Sequence, residues 1–519
     1  MKVITPEEAV KLVKDNDMVG ISGSGGSGSP ENLLSALRLR YQSEGRPRSI
    51  GVTCGICAGD RSDNYVGSNN LIPEGLVGKA ICGHLGRGKL FAEAMSSNQF
   101  AAYAIPLGVY GHLLRAKAGH QDGIVTHIGL NTYCDPRLEG CRCNEVSKED
   151  IVELVNIDGK ELLYYKTYPI NVAFIKASFA DEDGNVSLYK EAIIGEQRQL
   201  ASAVHNNGGI VICEVDELVP AGSILPKKVD IFKKLVDYVC VCKQDESLGD
   251  YNFPIYKPEL IGEKIVEPDK LDVMPLNERK VCARRACLEL KKDDIVNCGI
   301  GMPDGVGFVA AEEGFSKDIT ISIETGVFGG VPVYGNTFGA AVNPISLYPT
   351  TDMFDLYDGG IIDDAVLGLA ETDRYGNVNV SKVGNRVTGP GGFIDITQGC
   401  RKAIFIGTFT AGGLKVEIHD GRLQIVQEGK YRKFIEKVSQ VTFASKTAVR
   451  NHQEAYFVTE RAVFRINEEG LLELIEIAPG IDLEKDVLAN MDFRPLISED
   501  LKLMDDRIFR DEKMGLVLD

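Results

Sequence analysis

The sequence predicts an α/β protein of two related open-sheet domains derived by internal duplication. Three observations predict it. The 519 residues exceed what one ordinary core holds. Apolar runs such as "GGIVICEV", "YVCVC" and "KAIFIGTFT" read as buried parallel strands, and they alternate with helical stretches. One order of elements, helix, short strand, glycine-rich turn, helix, occurs twice.

The first copy opens on Thr5, Pro6 and Glu8, a capping box with proline at the first helical position. Ala9, Val10, Leu12 and Val13 supply the apolar face. "DNDMVGISGSGGSGSPENLLSAL" then gives a strand, a glycine turn and a helix starting near Pro30. The second copy opens on "LNERKVCARRACLEL", with Asn277 as N-cap, followed by "KDDIVNCGIGMPDGVGFVAAEEG". Asp17-Met18-Val19 aligns with Asp294-Ile295-Val296, and Pro30-Glu31 with Pro303-Asp304; the first copy is four residues longer between these anchors. Between the copies, Pro254, Pro258, Pro268 and Pro275 crowd one stretch. The expected division is therefore 1–251, a linker 252–276, and 277–519.

Composition narrows the function. With 44% hydrophobic and 25% charged residues the chain is of globular type, and a net charge of -18 argues against nucleic acid as partner. An anion can still be held locally by helix N-termini and backbone N–H groups. No apolar run reaches membrane-span length, and the first residues lack the apolar core of a signal peptide, so a cytoplasmic protein with no membrane partner is expected. The thirteen cysteines read as reduced thiols. Cys134, Cys141 and Cys143 lack a fourth ligand and a CxxC pair nearby, so no metal site is assigned.

Several motifs compete for the chemistry. "GSGGSG", Gly23 to Gly28, fits the dinucleotide fingerprint and raises a nicotinamide dehydrogenase as an alternative. Against it, the matching turn "GIGMPDG" breaks the spacing, and Glu44 lies in a helix end rather than a second strand. "GHLGRGKL", Gly83 to Leu90, imitates a phosphate loop, but Leu90 replaces the hydroxyl that magnesium needs. None of the seven histidines pairs with a cysteine or serine at a recognisable spacing.

Glu324 stands out instead. In "ITISIETGVFGGVP" it falls at the C-terminal end of a strand, where α/β sites are built, before Gly326, Gly329 and Gly330. No Lys, Arg or His in that stretch neutralises it. A solvated loop carboxylate is the ordinary reading; a nucleophile or base is the one the glycine surroundings favour. "GPGGFIDITQG" and "TFTAGGLKVEI" add turns whose N–H groups could form oxyanion or anion sites, or be tight turns only.

The chain resembles the family I coenzyme A transferases of the fused, single-chain kind, nearest the propionate and short-chain acyl-CoA:acetate or 3-ketoacid branch. In the second half the resemblance rests on "ETGVFGGVP", "FDLYDGG", "GNVNVSKVG", "GPGGFIDITQ", "GTFTAGGLK", "VQEGKYRKF" and "EIAPGIDLEKDVLANMDFRP". In the first half it rests on "IGLNTYCDPR", "KEDIVELV" and "ASFADEDGNVS". The resemblance implies ping-pong transfer of CoA from a short-chain acyl-CoA to a carboxylic acid of the acetate, propionate, butyrate or acetoacetate class. It implies a glutamyl-CoA thioester on Glu324, Asn379 as active-site asparagine, and no permanently bound cofactor, coenzyme A being substrate. By position it also implies a CoA-contacting loop at Gly299, Ile300, Gly301, Met302 and Pro303, the GxGG glycines Gly391 and Gly392, and a CoA-binding turn at Gly412, Gly413 and Lys415. A homodimer or homotetramer is implied as well. Thr325 departs from the Ser, Asn or Gly more usual after the glutamate, and "CGHLGRGKLFAEAM" and "GGSGSPE" depart in the first half, so acid specificity is open. An acyl-CoA hydrolase using the same glutamate, and a non-catalytic CoA-binding subunit, are the neighbouring alternatives.

Overall fold

The computed structural model describes residues 1–519 except 26, 60–61, 243–255, 268–272 and 334–337. Gly26 of the first glycine turn, and residues 252–255 and 268–272 of the expected linker, thus lie outside the described residues.

Each half is organised by one large sheet. In the first, eight strands run parallel in the order Lys2–Val3, Tyr238–Val241, Ile210–Val219, Val172–Asp181, Met18–Ile21, Ile50–Ile56, Val77–His84, Ala101–Ala104. In the second, the parallel centre runs Thr320–Ile323, Ile295–Cys298, Asp364–Gly368, Lys402–Ile406, Glu454–Val458. Antiparallel strands extend this sheet at both edges, Val327–Phe328 beyond Thr320–Ile323 and Ala462–Ile466 beyond Glu454–Val458.

The duplication is visible in strand order. In each half the strand after the first helix lies inside the sheet, flanked on one side by the next strand in sequence and on the other by a strand from much later. Ile50–Ile56, Met18–Ile21, Val172–Asp181 and Ile210–Val219 of the first sheet correspond in order to Thr320–Ile323, Ile295–Cys298, Asp364–Gly368 and Lys402–Ile406 of the second. The helices that open the copies are capped as the residues dictate. Glu8 N–H donates to Thr5 Oγ1 (3.2 Å) while Thr5 N–H donates to Glu8 Oε2 (3.0 Å), and Lys280 N–H donates to Asn277 Oδ1 (3.0 Å). The helix Glu31–Glu44 follows Pro30 directly.

The halves pack on one another through the ends that carry the loops. Leu85 N–H donates to Thr388 O (2.7 Å), Gly391 N–H to Gly83 O (3.0 Å) and Leu107 N–H to Gly391 O (2.9 Å). Further out, Asp355 accepts from His112 Nε2 (2.9 Å) and Arg115 Nη1 (2.6 Å). One continuous apolar core runs through both sheets and their helices. Of the Pro-rich stretch, the described part around Val266 is tied to the second half: Val266 N–H donates to Asn343 Oδ1 and Asn343 Nδ2 to Val266 O, each at 2.8 Å.

Candidate active site

Parallel strands end together, so two sheets meeting at their C-terminal edges bring many loop residues to one place. A cavity of about 190 Å³ opens there. From the first half it is lined by Ser24 and Gly25 after Met18–Ile21, by Ile56, and by His84 and Arg87. From the second half come Asn297 to Ile300, Glu324 and Thr325, Leu367 and Gly368, and Gly389 to Gly391.

Glu324 is the first residue past the strand Thr320–Ile323. The residue keeps some accessible surface toward the cavity, while its carboxyl group is walled in by protein. Its Oε2 accepts a hydrogen bond from Gly392 N–H at 2.9 Å. Burial pushes the carboxyl up to about 7, the Gly392 bond pulling the other way. Desolvation therefore dominates, and no ion pair to Glu324 is formed among the described residues. Gly392 has an ordinary φ of -84°, so its backbone does not require glycine. Space does: a Cβ there would fall on Glu324 Oε2 and within 2.7 Å of Phe354 Cζ.

Thr325 is buried, and its hydroxyl donates to Gly339 O. Its carbonyl accepts from Thr350 Oγ1 at 3.2 Å. The hydroxyl thus ties the strand end to the loop after Pro332, and Phe338 of that loop lines the cavity.

The structure gathers some of the expected residues and leaves others apart. Gly299 and Ile300 line the cavity, and Gly391 and Gly392 flank Glu324. Gly299 N–H is engaged by Val366 O (2.9 Å). Gly301, at φ +95°, turns the chain into the short turn Met302–Asp304, and Arg279 Nη2 donates to its carbonyl (2.7 Å). Met302 and Pro303 belong to that turn and lie outside the cavity lining. Asn379 is fully buried, with its side chain engaged in its own hairpin: Nδ2 donates to Glu371 Oε2 (2.8 Å) and Lys382 O (2.5 Å), and Oδ1 accepts from Ser381 and Lys382 N–H (both 3.1 Å). The adjacent Val380 is what reaches the cavity wall. Gly412, Gly413 and Lys415 are exposed on the hairpin Lys415–His419/Arg422–Gln427, away from the lining.

Sequence reasoning missed His84 and Arg87. Both lie in "GHLGRGKL", the stretch set aside as an incomplete phosphate loop; a histidine ending a buried parallel strand, with an arginine three residues on, was the available signal. Gly86 N–H donates to His84 Nδ1 (3.3 Å), which places the ring proton of neutral His84 on Nε2. Asn297 was missed too; its Nδ2 donates to Tyr357 Oη (3.0 Å) behind the strand that precedes Gly299. The cysteine reading also passed over "CGIC", where Cys54 and Cys57 form a CxxC pair.

Glu324 thus places a buried carboxyl group between two related α/β sheets, and the comparisons give the class of protein. A sequence model described as Coenzyme A transferase matches residues 3–241. The chain is 43% identical over 517 residues to the acetate CoA-transferase YdiF of Escherichia coli (strain K12), covering 99% of this chain and 96% of that one. It is 42% identical over 520 residues to the caffeate CoA-transferase of Acetobacterium woodii, covering 99% and 98%. The crystal structure of YdiF from E. coli O157:H7 as a thioester complex with CoA superposes with a TM-score of 0.93 at 41% identity, covering 100% of this chain and 98% of that one. The chain belongs to the coenzyme A transferase family, in its fused single-chain form. It is an enzyme that transfers coenzyme A to carboxylic acids. The dehydrogenase alternative falls with that assignment. Among the described residues no helix is long and apolar enough to cross a membrane.

Proposed function

We propose that the chain moves coenzyme A between short-chain carboxylic acids by ping-pong chemistry on Glu324. The observation that carries this reading is the Glu324 carboxylate, held by one backbone N–H at the end of a strand and facing a cavity built from both halves. Its Oε attacks the acyl-CoA carbonyl; the C–S bond breaks and a mixed anhydride and CoA thiolate form. The thiolate attacks the glutamyl carbonyl, releasing the first acid and leaving the glutamyl-CoA thioester. A second carboxylate then reverses both steps, so one thioester is exchanged for another. Glu324 must be ionised to begin, and its raised pKa makes its carboxylate a more basic and better nucleophile than an exposed one.

Each addition creates an oxyanion. Backbone donors aimed at it are worth roughly 3–4 kcal/mol each. Since Gly299 N–H is engaged, the donor of this turn is Ile300 or Gly301, whose positive φ turns the amide away from the preceding strand. In this reading Asn379 acts on the site by fixing the hairpin that carries Val380. The exposed turn Gly412, Gly413 and Lys415 is assigned to the outer part of CoA. Residues 1–251 and 277–519 act as the two halves of one transferase, in a cytoplasmic homo-oligomer whose order light scattering measures.

The test is a panel of acids assayed against acetyl-CoA, following the new acyl-CoA. Acetate, propionate, butyrate and acetoacetate should be accepted, with parallel double-reciprocal plots. Release of CoA without any second acid would assign a hydrolase instead.

A further inference from the structure

Behind the cavity wall lies a cluster that the transfer chemistry does not use. Cys54, Cys57 and Cys82 are 3%, 2% and 0% exposed. Cys54 Sγ is 3.0 Å from Cys57 Sγ and 3.4 Å from Cys82 Sγ, and all three sulfurs lie within 4.8 Å of one another. Among the described residues no other set of three His, Cys, Asp or Glu ligand atoms converges in this way. Two neighbouring parallel strands make the arrangement: Cys54 pairs in register with Cys82, and Cys57 follows the end of Ile50–Ile56, its N–H donating to His84 O (2.9 Å).

We infer that Cys54, Cys57 and Cys82 form a three-thiolate site for one soft, closed-shell thiophilic metal cation. Thiolates select such ions over hard ones. A metal–sulfur bond of about 2.3 Å sets three sulfurs around a central ion about 4 Å apart, so the 3.0 and 3.4 Å sides of the triangle open by about 1 Å or less on binding. Binding releases two or three thiol protons. With a divalent ion the site then carries no charge or one negative charge, a tolerable balance for a buried place. Among the His, Cys, Asp and Glu side chains of the described residues only thiols converge there, a donor set that favours soft cations over hard ones.

The position gives the site a consequence for catalysis. Ile56 lies between the CxxC cysteines, and His84 is two residues after Cys82; both line the active cavity. Gly83, between Cys82 and His84, accepts from Gly391 N–H (3.0 Å), and the next residue, Gly392, holds Glu324 (2.9 Å). A metal bound to the three sulfurs would staple the two strands whose ends carry that wall.

The experiment uses full-length protein produced with cadmium in the medium, reduced, desalted and analysed by elemental mass spectrometry and near-ultraviolet absorption. Wild type should hold one cadmium per chain, with thiolate-to-metal charge-transfer absorption and a higher Tm than the metal-free protein. Cys54→Ala/Cys82→Ala should lose both metal and absorption while still exchanging CoA, which shows that it folds. Should the double variant not fold, Cys57→Ala alone serves, with cadmium retention through chelator treatment as the readout. Substoichiometric cadmium in wild type, equal cadmium in the variant, or a mass two hydrogens short that marks a Cys54–Cys57 disulfide would each overturn the assignment. Because CoA exchange is measured separately, failure here leaves the role of Glu324 untouched.

Discussion

Gly392→Ala isolates the contact that holds the nucleophile. The backbone angle at Gly392 accepts alanine, so the effect is the methyl group alone. Built on the native backbone, that methyl overlaps Glu324 Oε2 and approaches Phe354 Cζ and Cε1 to 2.7 and 3.0 Å. Overpacking against the ring costs about 1–3 kcal/mol of stability. The carboxylate must rotate away or lose its N–H bond, worth about 1.5–3 kcal/mol for a charged acceptor. Displacing a reacting group by about 1 Å costs roughly a hundredfold in rate, or about 2.7 kcal/mol. The expected result is a fall in kcat near a hundredfold in the CoA exchange assay, with KM for the acyl-CoA little changed. The double variant Gly392→Ala/Phe354→Leu separates the two contacts: it should recover Tm and leave kcat low. Activity within twofold of wild type in the single variant, or recovery of kcat in the double variant, would refute the reasoning.

Other predictions follow from the same geometry. With Glu324 at about 7, kcat/KM should fall tenfold per pH unit below that value, as a pH profile on free enzyme will read. Between 4.5 and about 7 the folded protein holds a proton that the unfolded chain has lost, so Glu324 subtracts stability as pH rises through that window. Glu324→Gln should thus melt higher than wild type at pH 8 and level with it at pH 4.5. Arg87→Met should change kcat/KM among acids by tenfold or more while leaving KM for acyl-CoA near wild type, since Arg87 lines the cavity from the first half. Arg461, fully buried between Glu460 (2.6 Å) and Glu428 (2.7 Å), should cost about 3–5 kcal/mol in denaturant melts when replaced by Met, because two carboxylates lose their partner.

How much of this was legible in the chain depended on range. The buried strands "GGIVICEV", "YVCVC" and "KAIFIGTFT" and the caps at Thr5 and Asn277 obey local rules, and each forms as those rules require. Glu324 was legible because a strand end followed by glycines is a local signal. That Ser24, His84 and Arg87 line the same cavity was not, because their nearness comes from two sheets meeting edge to edge, a contact across hundreds of residues. Asn379 carries the family pattern, yet its hydrogen bonds are all inside its hairpin, and only coordinates distinguish a side chain that faces the cavity from one that holds the wall. The Cys82 partner of "CGIC" was hidden for the same reason: the pair is local, the third sulfur arrives by strand register.

The central claim is that Glu324 carries coenzyme A. Incubation with acetyl-CoA, borohydride reduction of the thioester and peptide mass spectrometry test it directly. The account predicts reduction confined to the peptide containing Glu324, dependent on acyl-CoA, and lost together with CoA exchange in Glu324→Ala. Modification at another buried carboxylate such as Glu196, or CoA exchange surviving in Glu324→Ala, would contradict it.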